Sequence, residues 1–311
     1  MFEGWRVLQF ALSLSRPDQP AATEKRRIFL RRLISAYAAV FTVLIAVSLA
    51  ATSGSTMARV QDNSNKNSSQ KPLDISKGDK NNPTAEQIVE TSIFVYGSRP
   101  LLEQIRRNGV ERGRVCKPTC EVPGKAEEAT YERRFVRGEK SDKDKVRVDQ
   151  KMPSLEYSLI YGGGRLWGLI NGTTFTPRED AANTFLSQHR HSIDNMLRYK
   201  ENGATLALIG KDKQKGLDLY VLDVLHPDKQ KTRYFISAKT FHVVWLEYEE
   251  NAAGTPVKFR RSFHDYRYAQ GTLVPYKTVL LQDGSQTQET KILTVTFGIK
   301  LDDSLFKSPE A

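Results

Sequence analysis

Few residues in the chain combine a reactive type with a spacing that suits chemistry. His189 and His191 lie two positions apart on a predicted helix, so their side chains diverge by about 200° and cannot bind one metal ion. We interpret them as solvated histidines of a helix face. His264 and Asp265 are neighbours on a predicted strand and therefore point to opposite faces of it. Because no serine or cysteine in a nucleophile-elbow context accompanies them, the sequence predicts no catalytic triad.

A glycine run and the scattered acidic residues are equally poor candidates for a nucleotide or metal site. Residues 162–164 are three glycines, but no Lys-Ser/Thr pair follows them as in a phosphate-binding loop. They join two predicted strands, which is typical of a hairpin. The acidic residues stand at strand ends and in loops, where solvation explains them. We therefore expect no enzyme, no cofactor and no metal site.

The chain has two cysteines, Cys116 and Cys120, spaced C-K-P-T-C around a proline-centred turn. Outside the cytoplasm, a short disulfide across that turn is the leading interpretation. Two thiols alone do not complete a zinc site, and a redox-active pair is more typically C-x-x-C.

An uncharged apolar segment near the N-terminus predicts export. Residues 33–51 (LISAYAAVFTVLIAVSLAA) follow a basic N-terminal segment, 1–32. At 1.5 Å per residue a helix of this length just crosses a hydrocarbon core of about 30 Å. The positive-inside rule keeps segment 1–32 in the cytoplasm. The apolar segment is either a transmembrane anchor in the cytoplasmic membrane or a signal peptide cleaved after Ala50. The rest of the chain is then anchored on the periplasmic side of the inner membrane of a bacterial envelope, or soluble in the periplasm.

Composition separates a linker from a folded domain. Residues 52–83 are rich in Ser, Asn and Lys and nearly free of large apolar residues, which predicts a flexible linker. Residues 84–311 are long enough for one domain with a real core. The net charge of +11 is spread along the chain, so it favours anionic surfaces such as lipid headgroups and does not indicate nucleic-acid binding.

The domain opens with helices and continues mainly with strands. Thr84–Gln87 form a capping-box pattern ahead of an apolar helix, and Pro100 interrupts that helix or begins a second one, 101–107. A longer helix is predicted for Arg178–Tyr199. An alternation of period two predicts about eleven strands in an antiparallel sheet that curls strongly or nearly closes, with the helices on one side, an α+β fold. These strands are 130–138, 145–151, 155–163, 165–172, 205–212, 217–226, 232–238, 242–250, 257–267, 273–283 and 290–297.

Two stretches of this domain resemble the bacterial outer-membrane lipoprotein carrier and sorting proteins (LolA-like). Residues 145–172 look like the family's strand, proline-marked turn, glycine hairpin and aromatic strand, with Trp167 in the last. Residues 263–284 and 293–309 resemble its strand-Gly-Pro-strand and its closing D-x-x-F-x-x-P tail. In the tail these residues are Asp303, Phe306 and Pro309.

The resemblance implies an incomplete antiparallel β-barrel with helices that act as a lid over an apolar cavity for acyl chains, without catalysis. Each buried methylene contributes ~0.8 kcal/mol, so a cavity of this kind can hold a lipid or the acyl chains of a lipoprotein. Trp167 and Arg137 are the candidate ligand-binding residues. Arg137 is the nearest match to the arginine that latches the family's lid, although no proline follows it and the loop GEKSDKDK intervenes. The alternative function is a membrane-tethered envelope sensor, because a related lobe occurs in anti-sigma-factor regulators.

Overall fold

The computed structural model describes residues 82–307, with gaps at 122–126, 154 and 253–254. The predictions for segments 1–32 and 33–51, and most of the predicted linker, lie outside the described residues. Within the described part of the chain, no helix is long and apolar enough to cross a membrane.

Four α-helices are described, and the first begins where the capping box predicts. The backbone N–H of Gln87 donates to Thr84 Oγ1 (3.2 Å), and the N–H of Thr84 donates to Gln87 Oε1 (2.8 Å). Pro100 lies in the first turn of the second helix, where a missing N–H costs nothing. The helices are α1 (Ala85–Tyr96), α2 (Arg99–Gln104), α3 (Glu179–Arg190) and α4 (Ile193–Leu197), and two 3-10 turns cover Ser141–Lys143 and Asp303–Phe306.

The strands form one antiparallel sheet in the order β6-β5-β4-β3-β2-β1-β13-β12-β11-β10-β9-β8-β7. No ladder joins β6 to β7 among the described residues, so the sheet is open. The α+β class and the helices on one side are as predicted. The strands are β1 (Asn108–Lys117), β2 (Glu127–Val136), β3 (Lys145–Met152), β4 (Leu155–Gly162), β5 (Arg165–Ile170), β6 (Thr173–Phe175), β7 (Thr205–Gln214), β8 (Leu217–Leu225), β9 (Lys231–Ser237), β10 (Val243–Ala252), β11 (Thr255–Ala269), β12 (Thr272–Gln282) and β13 (Ser285–Phe297).

The described sheet has thirteen strands, two more than the eleven predicted, because β1 and β6 have weak strand patterns. β1 contains two glycines, which are poor strand formers. A Cβ on Gly109 would lie 2.8 Å from the ring of Phe297, so the close approach of β13 requires glycine there. β6 has three residues, too few to show an alternation.

The predicted helix Arg178–Tyr199 is broken in two at His191 and Ser192. The side-chain amide of Asn195 donates to the carbonyl oxygens of His189 (3.1 Å) and Arg190, and so satisfies acceptors that end α3. The hydroxyl of Tyr234 donates to the carbonyl of Ser192 (2.8 Å). These tertiary contacts stabilise the break, which helical periodicity does not reveal.

The face of the sheet that the helices cover has two parts, and α1 covers the first, the α1 half. Helix α1 buries six residues, and Ile88 and Val89 are fully enclosed with the inward side chains of β8–β11. The hydroxyl of Tyr96 accepts from the N–H of Val243 (3.2 Å) and lies 2.9 Å from the hydroxyl of Tyr266, which donates to the Val243 carbonyl (2.6 Å). This part is a closed hydrophobic core.

Helix α3 covers the second part, the α3 half, much less closely. It buries one residue, Ser187. Phe185 and Leu186 are half-buried and pack on a group of buried side chains that we name the apolar floor. The apolar floor consists of Phe135, Val146, Tyr161, Val274 and Phe297.

Candidate functional site

The apolar floor is assembled by the strand register. Phe135 of β2 lies opposite Val146 of β3, and Val146 lies opposite Tyr161 of β4, so all three side chains point to one face. The rings of Phe135 and Phe297 meet edge to face at 6.3 Å between centroids. Aromatic and branched apolar groups on neighbouring strands thus form a continuous apolar surface beneath α3.

Asp194, at the start of α4, is held by two arginines of the opposite layer. Its Oδ1 lies 2.5 Å from Arg137 Nη2 and 3.2 Å from Arg106 Nη2. The side chains of Arg137 and Arg106 are only 9% and 11% exposed, so this pair of contacts is largely removed from water. Burial would raise the pKa of Asp194, but the charges of Arg106 and Arg137 outweigh it and hold that pKa below its ordinary value.

A second ion pair holds the end of α4 to the loop between β2 and β3. Arg198 Nη1 donates to both oxygens of Asp144 at 3.0 Å, and its Nη2 donates to the Gly138 carbonyl at 2.8 Å. Asp144 also accepts the Gly138 N–H at 2.8 Å and lies 3.5 Å from His189 Nε2. The α3–α4 segment is therefore attached to the sheet at α4, both by these charged contacts and by Ile193, Met196 and Leu197, which are buried in the core beneath α1.

Next to these contacts lies a cavity of about 310 Å³ between α1, α2, α4 and the β2–β3 loop. Ligand sites generally begin near about 300 Å³, so this one is at the small end. Its wall mixes apolar and charged side chains, among them Ile93, Leu102, Leu197, Arg107, Arg137 and Glu139.

Near the α3–α4 break, His191 is buried and His189 is half-buried, so their interpretation as solvated helix-face residues is wrong. His191 is 0% exposed because the helix ends at Arg190 and the next side chain turns inward. Its Nδ1 lies 2.6 Å from Thr232 Oγ1, and its ring stacks on Tyr248 at 4.0 Å. Burial lowers the pKa of His191 to about 3.

His189 and His226 share this environment. His226 Nε2 lies 3.1 Å from Thr232 Oγ1, and His189 Nε2 lies 3.2 Å from the Ser141 carbonyl. Burial lowers the pKa of both imidazoles, although the charge of Asp144 raises that of His189 and the charge of Asp228 raises that of His226. Three of the five histidines in the sequence thus lie in or against the α3–α4 segment.

The two candidate ligand-binding residues lie on opposite faces of the sheet. Arg137 is on the helix side, in contact with Asp194. Trp167 pairs with Ile160 and Ile160 with Arg147, which places Trp167 on the face away from α3. The structure does not bring the two residues together, and a ligand contact for either one stays a prediction.

Cys116 and Cys120 form a disulfide in the structure, with Cα atoms 5.1 Å apart and a cis peptide bond between Lys117 and Pro118. The clamped turn lies over Glu289, whose Oε2 accepts the Thr119 hydroxyl at 2.8 Å.

Apart from Arg137, the residues that hold the α3–α4 segment were missed in the sequence. Arg106, Arg137 and Asp194 come from three separate elements, and no short motif connects them. The one local signal was an acidic residue, Asp194, directly after the apolar Ile193 and shortly before Met196. Within the described ranges, no group of three or more His, Cys, Asp or Glu residues is placed to hold a metal ion.

No known family model matches the chain, and no curated protein does. Several solved structures do. A DUF1329 family protein from Desulfovibrio piger aligns with a TM-score of 0.52 and 8% identity, over 73% of this chain and 98% of that one. A LolA superfamily protein from Nitrosomonas europaea aligns at 0.49 and 13%, over 74% and 100%. A putative outer membrane lipoprotein-sorting protein domain from Vibrio parahaemolyticus aligns at 0.45 and 11%, over 64% and 88%.

The first of these alignments shows a shared fold. A large, open antiparallel sheet with helices on one face is the arrangement that the sequence resemblance implied.

Proposed function

We propose that the protein is a non-catalytic, cell-envelope binding protein for lipid or lipoprotein acyl chains, which it holds between α3 and the apolar floor. The observation that carries this proposal is the loose cover of the α3 half: α3 lies over an apolar surface but buries only Ser187. A helix that buries so few of its own side chains loses little of its own packing when it moves away, and a ligand in its place keeps the apolar floor covered.

The energetics favour exchange of α3 for a ligand. Full burial of one Phe or Leu side chain contributes roughly 1.5–3 kcal/mol, and Phe185 and Leu186 are only half-buried. An acyl chain in their place contributes ~0.8 kcal/mol per buried methylene. Burial of a long chain therefore contributes more free energy than the contact of these two side chains with the apolar floor. Helix α1, with six buried residues, offers no such exchange.

The contacts of Asp194 are suited to hold the segment closed when no ligand is present. Arg137, the nearest match to the family's latch arginine, contacts Asp194 together with Arg106. The segment cannot leave the sheet at the start of α4 without breaking both ion pairs. We infer that they act as the latch of the lid.

An envelope location fits the disulfide between Cys116 and Cys120, because disulfides persist in oxidising compartments. The apolar segment 33–51 would supply export. If it is retained, the domain is tethered to the inner membrane, and if it is cleaved after Ala50, the domain diffuses in the periplasm as a carrier.

Photo-crosslinking tests the proposal. The full chain is expressed in bacteria supplied with a diazirine-bearing fatty acid, irradiated and mapped by peptide mass spectrometry. We expect adducts on α3 and on the strands of the apolar floor. Phe185→Asp should remove most of them, because it places a charge against the apolar floor.

The matched control is Phe94→Asp on α1, where the native ring is 75% exposed. This variant should keep the wild-type adducts. An absence of adducts in the wild type, or an equal loss of adducts in both variants, would contradict the proposal.

A further inference from the structure

The layer between the α3–α4 segment and the sheet holds more arginines than carboxylates. The five arginines are Arg106, Arg133, Arg137, Arg198 and Arg261, and the three carboxylates are Glu111, Asp144 and Asp194. All eight are buried or half-buried. A charge removed from water without a counter-charge is costly, so an excess of two arginines requires an explanation.

Three of the five arginines contact two of the carboxylates. Arg106 and Arg137 share Asp194, and Arg198 binds both oxygens of Asp144, so one of the two excess charges lies at Arg106 and Arg137. The other lies at Arg133 and Arg261, which have one carboxylate, Glu111, between them.

Arg133 has a poor partner. Its Nη1 lies 4.0 Å from Glu111 Oε2, beyond hydrogen-bond distance, while the other carboxylate oxygen of Glu111 accepts the Tyr131 hydroxyl at 2.6 Å. The guanidinium of Arg133 lies 4.7 Å from the ring centroid of Phe135, at the edge of the apolar floor. Its side chain keeps 29% exposure on the face that the helices cover.

Arg261 has no carboxylate partner among the described residues. Its Nη1 donates to the carbonyls of Gln188 and His191, both at 2.9 Å, and its Nε and Nη2 make no hydrogen bond within the described chain. Burial lowers the pKa of Arg261, and the charge of Arg133 lowers it further, whereas the charge of Glu111 raises it.

On the opposite face of the sheet, arginines of β2 and β3 contact carboxylates directly. Arg134, the neighbour of Arg133 in the chain, contacts both Glu132 and Asp149. Arg147 Nε lies 2.8 Å from Asp149 Oδ1. On that face each of these arginines has a carboxylate, so the excess on the helix side is a local feature.

We propose that Arg133 and Arg261 bind the anionic group, a carboxylate or a phosphate, of an amphiphile whose chain lies on the apolar floor. This inference rests on the proposed function and names its ligand class as anionic amphiphiles. Guanidinium groups bind both anions through charge-assisted, often bidentate hydrogen bonds. An anion at this place supplies the negative charge that the layer lacks, directly beside the surface for the chain.

The test compares three ligands with one acyl chain. Palmitate, palmitoyl lysophosphatidic acid and uncharged monopalmitoylglycerol compete with a photoreactive monoacylglycerol for the full chain. We expect at least one anion to bind about tenfold more tightly than the neutral ligand. Preference for palmitate identifies a free fatty acid as the source of the anion, and preference for the phosphate identifies a phospholipid.

Arg133→Gln should abolish that preference and leave neutral binding unchanged, because Arg133 holds no close structural contact with a carboxylate. Arg133→Lys should keep part of the preference. The matched control is Arg134→Gln, which removes the same charge from the opposite face and should keep all of it. Circular dichroism of both glutamine variants verifies the fold.

Three results would overturn the site. Equal affinity for all three ligands in the wild type refutes the anion site and leaves the proposed function standing. Equal weakening of all three by Arg133→Gln shows that this arginine only maintains structure. Failure of every ligand to compete, with no crosslinking of the probe itself, refutes the proposed function together with the inference.

Discussion

The α1 half and the α3 half belong to one sheet but are built differently. In the α1 half, helix α1 buries six residues and Tyr96 bonds directly to the sheet through Val243. In the α3 half, helix α3 buries one residue and is held by ion pairs and histidines at the α3–α4 break and at α4. Helix α4 itself is anchored, because Ile193, Met196 and Leu197 belong to the core of the α1 half. Apolar burial makes that core permanent, and helix α3 can move without loss of it.

The largest expected effect is on the α1 half. Tyr96→Ala creates a cavity in the core and leaves the Val243 N–H without its acceptor, so we expect a loss of about 4 kcal/mol in the free energy of unfolding. Urea titration of the full chain, followed by tryptophan fluorescence, measures it. Phe94→Ala on the exposed side of α1 is the control, with an expected change within about 0.5 kcal/mol. A loss below about 1 kcal/mol in Tyr96→Ala would contradict the permanent core.

The next effect concerns the latch. Asp194→Asn leaves Arg106 and Arg137 without their counter-charge, and we expect about 2 kcal/mol less stability for the closed segment. Hydrogen exchange should speed up in residues 179–204 and stay unchanged in α1.

Asp303→Asn serves as the control, since this aspartate is 68% exposed in its pair with Lys145 and contributes little. Faster exchange throughout the domain in Asp194→Asn would show that the two halves open together.

Acid should loosen the α3 half. Burial lowers the pKa of His191 to about 3, so the closed state keeps it neutral, whereas an opened segment titrates near the ordinary value of about 6.5. The closed state therefore binds fewer protons, and its stability is complete above about pH 6.5 and falls as the pH drops from there toward about 3. Asp228 is bound by Arg190 (3.2 Å), and Arg261 lies against the His191 carbonyl, so the surroundings do not favour a charged imidazole.

Between about pH 7.5 and about pH 5.5 we expect a loss of about 1 kcal/mol from His191 alone. Hydrogen exchange of residues 179–204 across this range measures it, as protection factors corrected for the pH dependence of intrinsic exchange. His191→Asn should weaken the pH dependence, whereas His264→Gln, at an exposed position, should retain it. Protection factors that do not change with pH in the wild type would contradict the claim that protonation of these histidines destabilises the closed segment.

The smallest effect is expected for the lid helix itself. Phe185→Ala should lower the free energy of unfolding by less than about 1 kcal/mol, because the ring is half-buried. The same urea titration applies. A loss equal to that of Tyr96→Ala would contradict the claim that α3 contributes less to stability than α1.

Local features were predictable from the sequence, and long-range ones were not. The capping box at Thr84 and the strands of period two depend on neighbouring residues, and the structure contains them. Strand β1 was not predicted, because its Gly109 weakens the strand pattern. That glycine is needed for the close approach of β13, a strand far along the chain.

The same distinction applies to the site. Arg137 was singled out through a resemblance, but its contact with Asp194 joins positions far apart in the sequence. Trp167 was chosen for its aromatic type, and only the strand register reveals that it faces away from α3. The burial of His191 depends on a helix break that Asn195 and Tyr234 stabilise from outside the local pattern.

Hydrogen exchange of the full chain with and without palmitate tests the central claim most directly. If the α3 half holds the acyl chain, palmitate changes the exchange of residues 179–204 and of β2–β4, and leaves α1 and β8–β10 as they were. A change confined to α1, or no change at a palmitate concentration that saturates crosslinking, would contradict the claim that the loosely covered half is the binding site.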